Sequence, residues 1–161
     1  MCYGSVSILI GLVVHAVVYR AAGLGQVPEV QIPAVAAKFN NPVARATFDS
    51  AQCIDGDVVT TFCLSDKGSQ VWLQLDLGSS YRVSRVDIFM TNEARTCPSN
   101  YCLDGYQLWV GNTPDDPSGS GNLKCATGPD SEGAPAGHVQ VECAGTGQFV
   151  YLFLNRTDRH I

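Results

Sequence analysis

One segment of the sequence, residues 71–78, alternates strictly between aliphatic and other residues. Successive side chains of a β-strand point to opposite faces, so this alternation predicts a strand with one buried aliphatic face that ends at Gly78. The predicted buried face consists of Val71, Leu73, Leu75 and Leu77. The opposite face consists of Trp72, Gln74 and Asp76.

Further segments favour an all-β architecture. Residues 81–91, 106–110 and 138–143 contain apolar side chains at period two, and turn residues lie between these segments. Residues 148–154 are apolar almost throughout, which is typical of a central strand buried on both faces. No amphipathic helical window exceeds about two turns. The sequence therefore predicts a sandwich or barrel of short strands.

The amino terminus contains the only long apolar stretch, residues 6–19. The stretch is shorter than the ~20 residues of a membrane-spanning helix, and Arg20 and small residues follow it. We therefore predict a signal peptide at residues 1–23, with an N-terminal membrane anchor as the alternative. Residues 24–37 are then a linker or an edge strand, and residues 38–161 are the folded domain.

The cysteine content agrees with export. The chain has seven cysteines, and Cys2 lies in the predicted signal peptide, which leaves six. An even number in an exported domain indicates disulfides, here three, and predicts a secreted, extracellular protein. The six are Cys53, Cys63, Cys97, Cys102, Cys125 and Cys143.

Charge and motif content exclude several classes of function. The net charge is −5 and Lys and Arg are nowhere clustered, which disfavours a nucleic acid or an anionic lipid surface as partner. His138 and His160 lack the spacing of zinc ligands. No motif pairs a nucleophile with a base, so the protein is not expected to be an enzyme.

Three motifs occur in order: Ile-Asp-Gly-Asp at 54–57, Val-Trp-Leu-Gln-Leu-Asp-Leu-Gly at 71–78, and Tyr-Gln-Leu-Trp-Val-Gly at 106–111. They resemble the galactose-binding-like, or discoidin (coagulation factor 5/8 type C), superfamily. Within it the chain is most similar to the F-type lectins (fucolectins), over residues 38–161. The resemblance implies a jelly-roll β-sandwich whose loops at one end bind ligand. It also implies a domain that is C-terminally incomplete, because the family's last strand would follow Ile161.

The resemblance implies a disulfide pairing as well. Fucolectins have a cysteine pair in a ligand loop, and Cys97–Cys102 occupies that place; Cys125–Cys143 resembles the family's pair in the later strands. Cys53–Cys63 is then the remaining pair. The alternative partner of Cys63 is a cysteine near the family's C-terminus, beyond the end of this sequence.

The resemblance also directs attention to candidate sugar ligands. Fucolectins use one His and two Arg; this chain has Ser65 and Asp66 near the His position, and Asn92 and Arg95 in the second loop. Tyr101, inside the Cys97–Cys102 loop, is a candidate stacking plate. The alternatives are a solvated charge for Arg95 and ordinary packing for Tyr101. Because the fucose motif is incomplete, we predict a glycan or glycoprotein partner of unspecified sugar.

Calcium is a further implication of the family. Its site lies beside the Asp-Gly turn, where Asp55, Asp57 and Thr60 could supply oxygen ligands. Thr60 stands where an acidic residue is expected. The alternative is a turn in which the aspartates cap their own backbone.

The sequence thus predicts a secreted, non-catalytic, carbohydrate-binding module, assisted by calcium in the family's manner. The alternative is a discoidin-type cell-adhesion module that binds protein or lipid; the candidate loops hold little apolar surface beyond Leu64 and Tyr101, which favours a polar ligand. Oligomerisation stays open. Asn-Arg-Thr at 155–157 is a sequon that predicts glycosylation of Asn155.

Overall fold

The structure is a computed structural model that describes residues 10–17, 29–42, 49–56, 63, 65, 68–90, 105–128 and 137–155. Within these residues no helix is long and apolar enough to cross a membrane. The elements are β1 Ile10–Val17, β2 Glu29–Ile32, β3 Ala36–Phe39, a 3₁₀ helix Ser50–Cys53, β4 Val71–Met90, β5 Gln107–Gly111, β6 Asn122–Thr127 and β7 Gly137–Leu154.

The strands pair antiparallel in the order β2-β1-β4-β7-β5-β6, and β3 pairs with the first part of β4. β7 pairs with β4 on one side and with β5 on the other, and it is buried on both faces from Val150 to Leu154. The predicted all-β class and the central position of this strand are both confirmed.

β4 is longer than the sequence predicts. The prediction ends a strand at Gly78, whereas β4 continues to Met90 and pairs with β7 on both sides of a register shift between Asp76 and Tyr81. Gly78 has φ +75°, a conformation that glycine adopts without steric cost. The glycine therefore redirects the strand instead of ending it.

One aliphatic core lies between the two layers of the β-sandwich that this redirection creates. The first part of β4 contributes the four predicted aliphatic residues, all buried, and the second part contributes Val83, Val86 and Ile88 to the same cluster. Burial of each such side chain stabilises the fold by ~1.5–3 kcal/mol. The predicted inward face of residues 71–77 is confirmed.

The predicted N-terminal segments also have counterparts in the sheet. β1 lies within the predicted signal peptide and pairs with the second part of β4 and with β2. β2 is an edge strand within the predicted linker, and β3 crosses the predicted boundary at residue 38. The signal peptide stays a prediction, since pairing in the full chain does not show whether the segment is removed on export.

Two disulfides are present among the described residues. Cys53 bonds to Cys63 with a Cα–Cα distance of 5.2 Å, and Cys125 of β6 bonds to Cys143 of β7 with a distance of 4.9 Å. These are two of the three predicted pairings. The third, Cys97–Cys102, lies outside the described residues.

Candidate functional site

Four strand ends meet at one rim of the sandwich. β3 ends at Phe39, β4 begins at Val71, β5 begins at Gln107 and β7 ends at Leu154, and the ladder pairs these ends with one another. We call this edge the ligand rim. The connections that carry the predicted sugar and calcium ligands, residues 40–70 and 91–106, begin or end here.

Asn40 joins two strands at the ligand rim, just where their ladder ends. Its Oδ1 atom accepts a hydrogen bond from the Trp72 backbone N–H at 2.8 Å, and its Nδ2 atom donates to the Gln70 carbonyl at 2.6 Å. The amide side chain adds these two bonds to the backbone bond that the Asn40 N–H donates to the Trp72 carbonyl at 3.2 Å. It fixes the start of β4 relative to the connection that precedes it.

A short 3₁₀ helix anchors the first connection. Asp49 caps this helix, and the Ser50 hydroxyl donates to the carbonyl of Ala37 in β3 at 2.7 Å. Cys53, at its end, is buried in the core and bonded to the equally buried Cys63. The base of the connection is therefore held on the sandwich by a covalent bond as well as by packing.

The structure separates the predicted sugar ligands into two groups. Ser65 is fully buried, and its backbone forms an isolated bridge with Pro42, so its side chain presents no surface to a ligand. Its bridge partner Pro42 is distant in sequence, so local patterns do not reveal this pairing. Asp66, Asn92, Arg95 and Tyr101 lie outside the described residues.

The predicted calcium ligands are similarly divided. Asp55 is exposed, two residues after the end of the 3₁₀ helix, and Gly56 beside it has φ +83°. Asp57 and Thr60 lie outside the described residues. Among the residues that the structure does describe, no three His, Cys, Asp or Glu side chains cluster as metal ligands would. One exposed carboxylate is compatible with a calcium ligand but does not make a site, and calcium stays a prediction.

A second feature, which the sequence analysis did not single out, lies on the opposite face of the sheet. Side chains from β4, β5 and β7 form an outer aromatic cluster that is separate from the aliphatic core. The rings of Trp72 and Tyr151 meet edge to face at 5.8 Å. Period-two alternation of aromatic residues in 149–153 was the available signal. The cluster consists of Trp72, Tyr151 and Phe153, with Trp109 and Phe149 half-buried beside them.

A polar network joins this cluster to the loop at residues 112–121. The Tyr151 hydroxyl lies 2.7 Å from the Thr113 carbonyl and 2.9 Å from Gln74 Oε1, and donates to one of these acceptors. Gln74 Oε1 also accepts the Asp115 N–H at 2.8 Å. Burial raises the pKa of Tyr151 to about 12. The loop is thereby fixed over the side of the cluster that lies away from the ligand rim.

Another polar group lies on the second layer. Arg85 Nε donates to Asp87 Oδ1 at 3.1 Å, and His138 Nε2 is 3.6 Å from the same oxygen. The imidazole stacks on the Phe89 ring with centroids 4.4 Å apart. Asp87 is buried, and its neighbours provide the compensation that a buried carboxylate needs.

This architecture, an antiparallel β-sandwich whose predicted ligand residues lie in connections at one rim, is that of the galactose-binding-like domains. The sequence profile described as NedA-like, galactose-binding domain matches residues 52–152. The chain belongs to this family, and the resemblance inferred from the three motifs is confirmed. No curated protein sequence matches the chain.

Solved structures with the same fold include several sugar-binding proteins. A fucolectin from Morone saxatilis (striped bass) serum superposes with a TM-score of 0.64 at 21% identity, covering 78% of this chain and 43% of that chain. The protein therefore spans less than half of that fucolectin's length. Chitosan-binding module 1 of a chitosanase/glucanase from Paenibacillus sp. IK-5 has a TM-score of 0.55 at 20% identity, with coverages of 80% and 85%.

A fucose-binding module of Streptococcus pneumoniae has a TM-score of 0.56 at 12% identity and covers 81% of this chain and 90% of that chain. At these identities the three similarities establish the shared fold.

Proposed function

We propose that the protein is a non-catalytic carbohydrate-binding module that binds a glycan at the ligand rim. The observation that carries this proposal is membership in the galactose-binding domain family, combined with a rim connection fixed by the Cys53–Cys63 bond. A fixed connection loses less conformational entropy on binding than a free one. Proteins with the same fold include a fucolectin, a chitosan-binding module and a fucose-binding module.

The roles of individual residues follow from their chemistry. Arg95, Asn92 and Asp66 offer the planar donors and acceptors that hold sugar hydroxyls. Tyr101 offers a ring against which the C–H face of a sugar packs. Ser65 is assigned no direct contact with the sugar, because its side chain is fully buried.

The proposal includes a bound calcium ion that makes the rim connection more rigid. Asp55 and Asp57 would supply carboxylate oxygens and Thr60 a further oxygen, which suits the hard oxygen preference of Ca²⁺. The ion would order the connection between Cys53 and the start of β4. The proposed location is extracellular, which agrees with two disulfides in a chain of this size.

The direct test is a glycan array probed with the purified protein in calcium and in chelator. We expect binding to a restricted set of glycans that chelator weakens, and no release of sugar from the bound glycans. Arg95→Ala should weaken binding at least ~10-fold, because a hydrogen bond from a charged donor is lost. The exposed β4 residue Arg82 provides the matched control, and Arg82→Ala should bind as the wild type does.

Two outcomes would contradict the proposal. If no glycan on the array is bound in either calcium or chelator, and the protein sediments with liposomes, a discoidin-type lipid-binding module would be favoured instead. Equal losses in Arg95→Ala and Arg82→Ala would mean that general charge, and not a rim site, governs binding.

A further inference from the structure

The sequon acceptor lies on the same face as the outer aromatic cluster. Asn155 follows the last residue of β7 and is exposed. Alternation along β7 sends Leu154 into the aliphatic core and Phe153 into the outer cluster, so Asn155 continues on the outer face. A hydrogen bond of 3.5 Å from Gln70 Nε2 to Asn155 Oδ1 agrees with this placement.

A row of side chains leads from Asn155 across this face. Gln107 of β5 lies opposite Phe153, and Trp109 is the next outward residue of β5. The Trp109 indole N–H donates to Gln107 Oε1 at 3.1 Å, and the Lys124 ammonium is 5.9 Å from the indole centroid. Gln107 and Trp109 are half-buried and Lys124 is exposed, so all three present surface to solvent.

The chemistry of this row suits a sugar chain. An indole ring accepts the C–H face of a pyranose, while an amide and an ammonium group hydrogen-bond hydroxyl and acetamido oxygens. Asn155 and Trp109 are separated by about 14 Å along the strands, estimated from the rise per residue. The inner sugars of an N-linked chain span this distance together, whereas the first sugar alone does not.

We infer that Asn155 carries an N-linked glycan whose inner sugars lie along the outer face and cover Gln107, Trp109 and Lys124. Tethering at one end of the row raises the effective concentration of the sugar at the aromatic surface far above that of a free ligand. This occupant differs from the ligand at the rim, and the inference does not depend on the rim's specificity. It does require that the chain is exported.

The attachment is a transfer from a lipid-pyrophosphate-linked oligosaccharide. The Asn155 amide nitrogen forms a bond to C1 of the first N-acetylglucosamine and loses a proton. The bond between C1 and the pyrophosphate oxygen breaks, and the lipid pyrophosphate leaves with the electron pair. No oxidant or reductant is involved.

The test compares glycosylated and unglycosylated protein from the same eukaryotic host. Thr157→Ala removes the sequon without altering Asn155, and intact mass reports occupancy. The glycosylated wild type should unfold ~2–4 °C higher than Thr157→Ala, as expected for a modest stabilisation of a chain this size. The same gain should shrink in Trp109→Phe, which offers a smaller ring, and in Gln107→Ala, and persist in the exposed-residue control Leu123→Ala.

Acrylamide quenching gives a second, independent readout. The chain has two tryptophans, of which Trp72 is buried, so quenching reports mainly on Trp109. The intact glycan should lower quenching relative to Thr157→Ala. Trimming the glycan to its first sugar should restore quenching, because that sugar does not reach Trp109.

An unmodified Asn155 in secreted protein would overturn the inference. So would a stabilisation that persists unchanged in both Trp109→Phe and Gln107→Ala. Equal acrylamide quenching with and without the attached glycan, together with lower quenching after a soluble oligosaccharide is added, would assign the face to a free sugar instead.

Discussion

The two faces of the first part of β4 are built from different chemistry. Its inward residues are aliphatic, and they pack in a core that includes residues from both layers. Its outward residues are Trp72, Gln74 and Asp76, and each has a directional partner: Trp72 meets Tyr151 edge to face, Gln74 binds the 112–121 loop, and Asp76 accepts from Gln148 Nε2 at 2.9 Å.

The two faces of this strand therefore stabilise the molecule in different ways. The inner face depends on volume and close packing, which many aliphatic combinations satisfy. The outer face depends on specific atoms at specific distances, since a buried polar atom without its partner is costly. We therefore expect the inner face to determine how stable the sandwich is, and the outer face to determine where loops and sugars lie.

The largest effect should come from truncating the inner face. Leu73 is fully buried, and Leu73→Ala should lower the free energy of unfolding by ~2–5 kcal/mol through lost burial and a residual cavity. Urea unfolding followed by tryptophan fluorescence measures this change. The exposed Leu123→Ala control should stay within ~0.5 kcal/mol of the wild type. Equal losses of stability in Leu73→Ala and Leu123→Ala would mean that the inner face does not determine the stability of the sandwich.

The next effect concerns the bond that joins an edge strand to the interior. Cys125–Cys143 closes a separation of 18 residues, and the variant in which both are alanine should lose about 3 kcal/mol by the loop-entropy estimate. Unfolding of oxidised wild type and of the double variant, both under non-reducing conditions, measures the loss. A double variant as stable as the wild type would mean that packing alone fixes β6.

The outer face should respond to the loss of one oxygen atom. Tyr151→Phe keeps the ring and removes the hydroxyl near the Thr113 carbonyl and Gln74 Oε1, which should cost about 1–2 kcal/mol. Chemical unfolding at neutral pH measures this cost. An unchanged stability would show that the network contributes nothing beyond the packing of the ring.

Unfolding at alkaline pH provides a second test of the Tyr151 hydroxyl. Burial raises the pKa of Tyr151 from its ordinary value of 10.0 to about 12, so the fold favours the neutral phenol. This contribution is complete below about pH 10 and is lost as the pH rises to about 12. Tyr151→Phe should therefore lose less stability over that interval. Burial also raises the pKa of Tyr106, and this effect on stability is the same in the wild type and in Tyr151→Phe.

The smallest effect is expected at the surface. Lys38 Nζ lies 2.7 Å from Asp115 Oδ1, but both side chains are 57% exposed. Solvent screening limits such a pair to about 0.2–1 kcal/mol, so Lys38→Ala should be nearly neutral in 1 M salt and slightly destabilising in dilute buffer. A loss that salt does not reduce would assign Lys38 a packing role.

The sequence predicted the family and the β-sandwich fold correctly, whereas the individual sugar and calcium ligands stay predictions. The motif at 71–78 is both the local pattern of a strand and a marker of the family, so the fold and the ligand rim followed from it. The burial of Ser65 and its backbone bridge to Pro42 did not follow, because Pro42 lies in a different part of the chain.

The sequence alone predicted which face of residues 71–77 is apolar and that Cys53–Cys63 and Cys125–Cys143 are bonded. The apolar face is a local property of the chain, and the pairing followed from the resemblance to a known family. Strand pairing in the folded protein was needed to show that β4 continues past Gly78, and that Asn155, Gln107 and Trp109 form one row on the outer face. These relations depend on the register between distant segments. Register is fixed when the strands pack together, and no single segment encodes it.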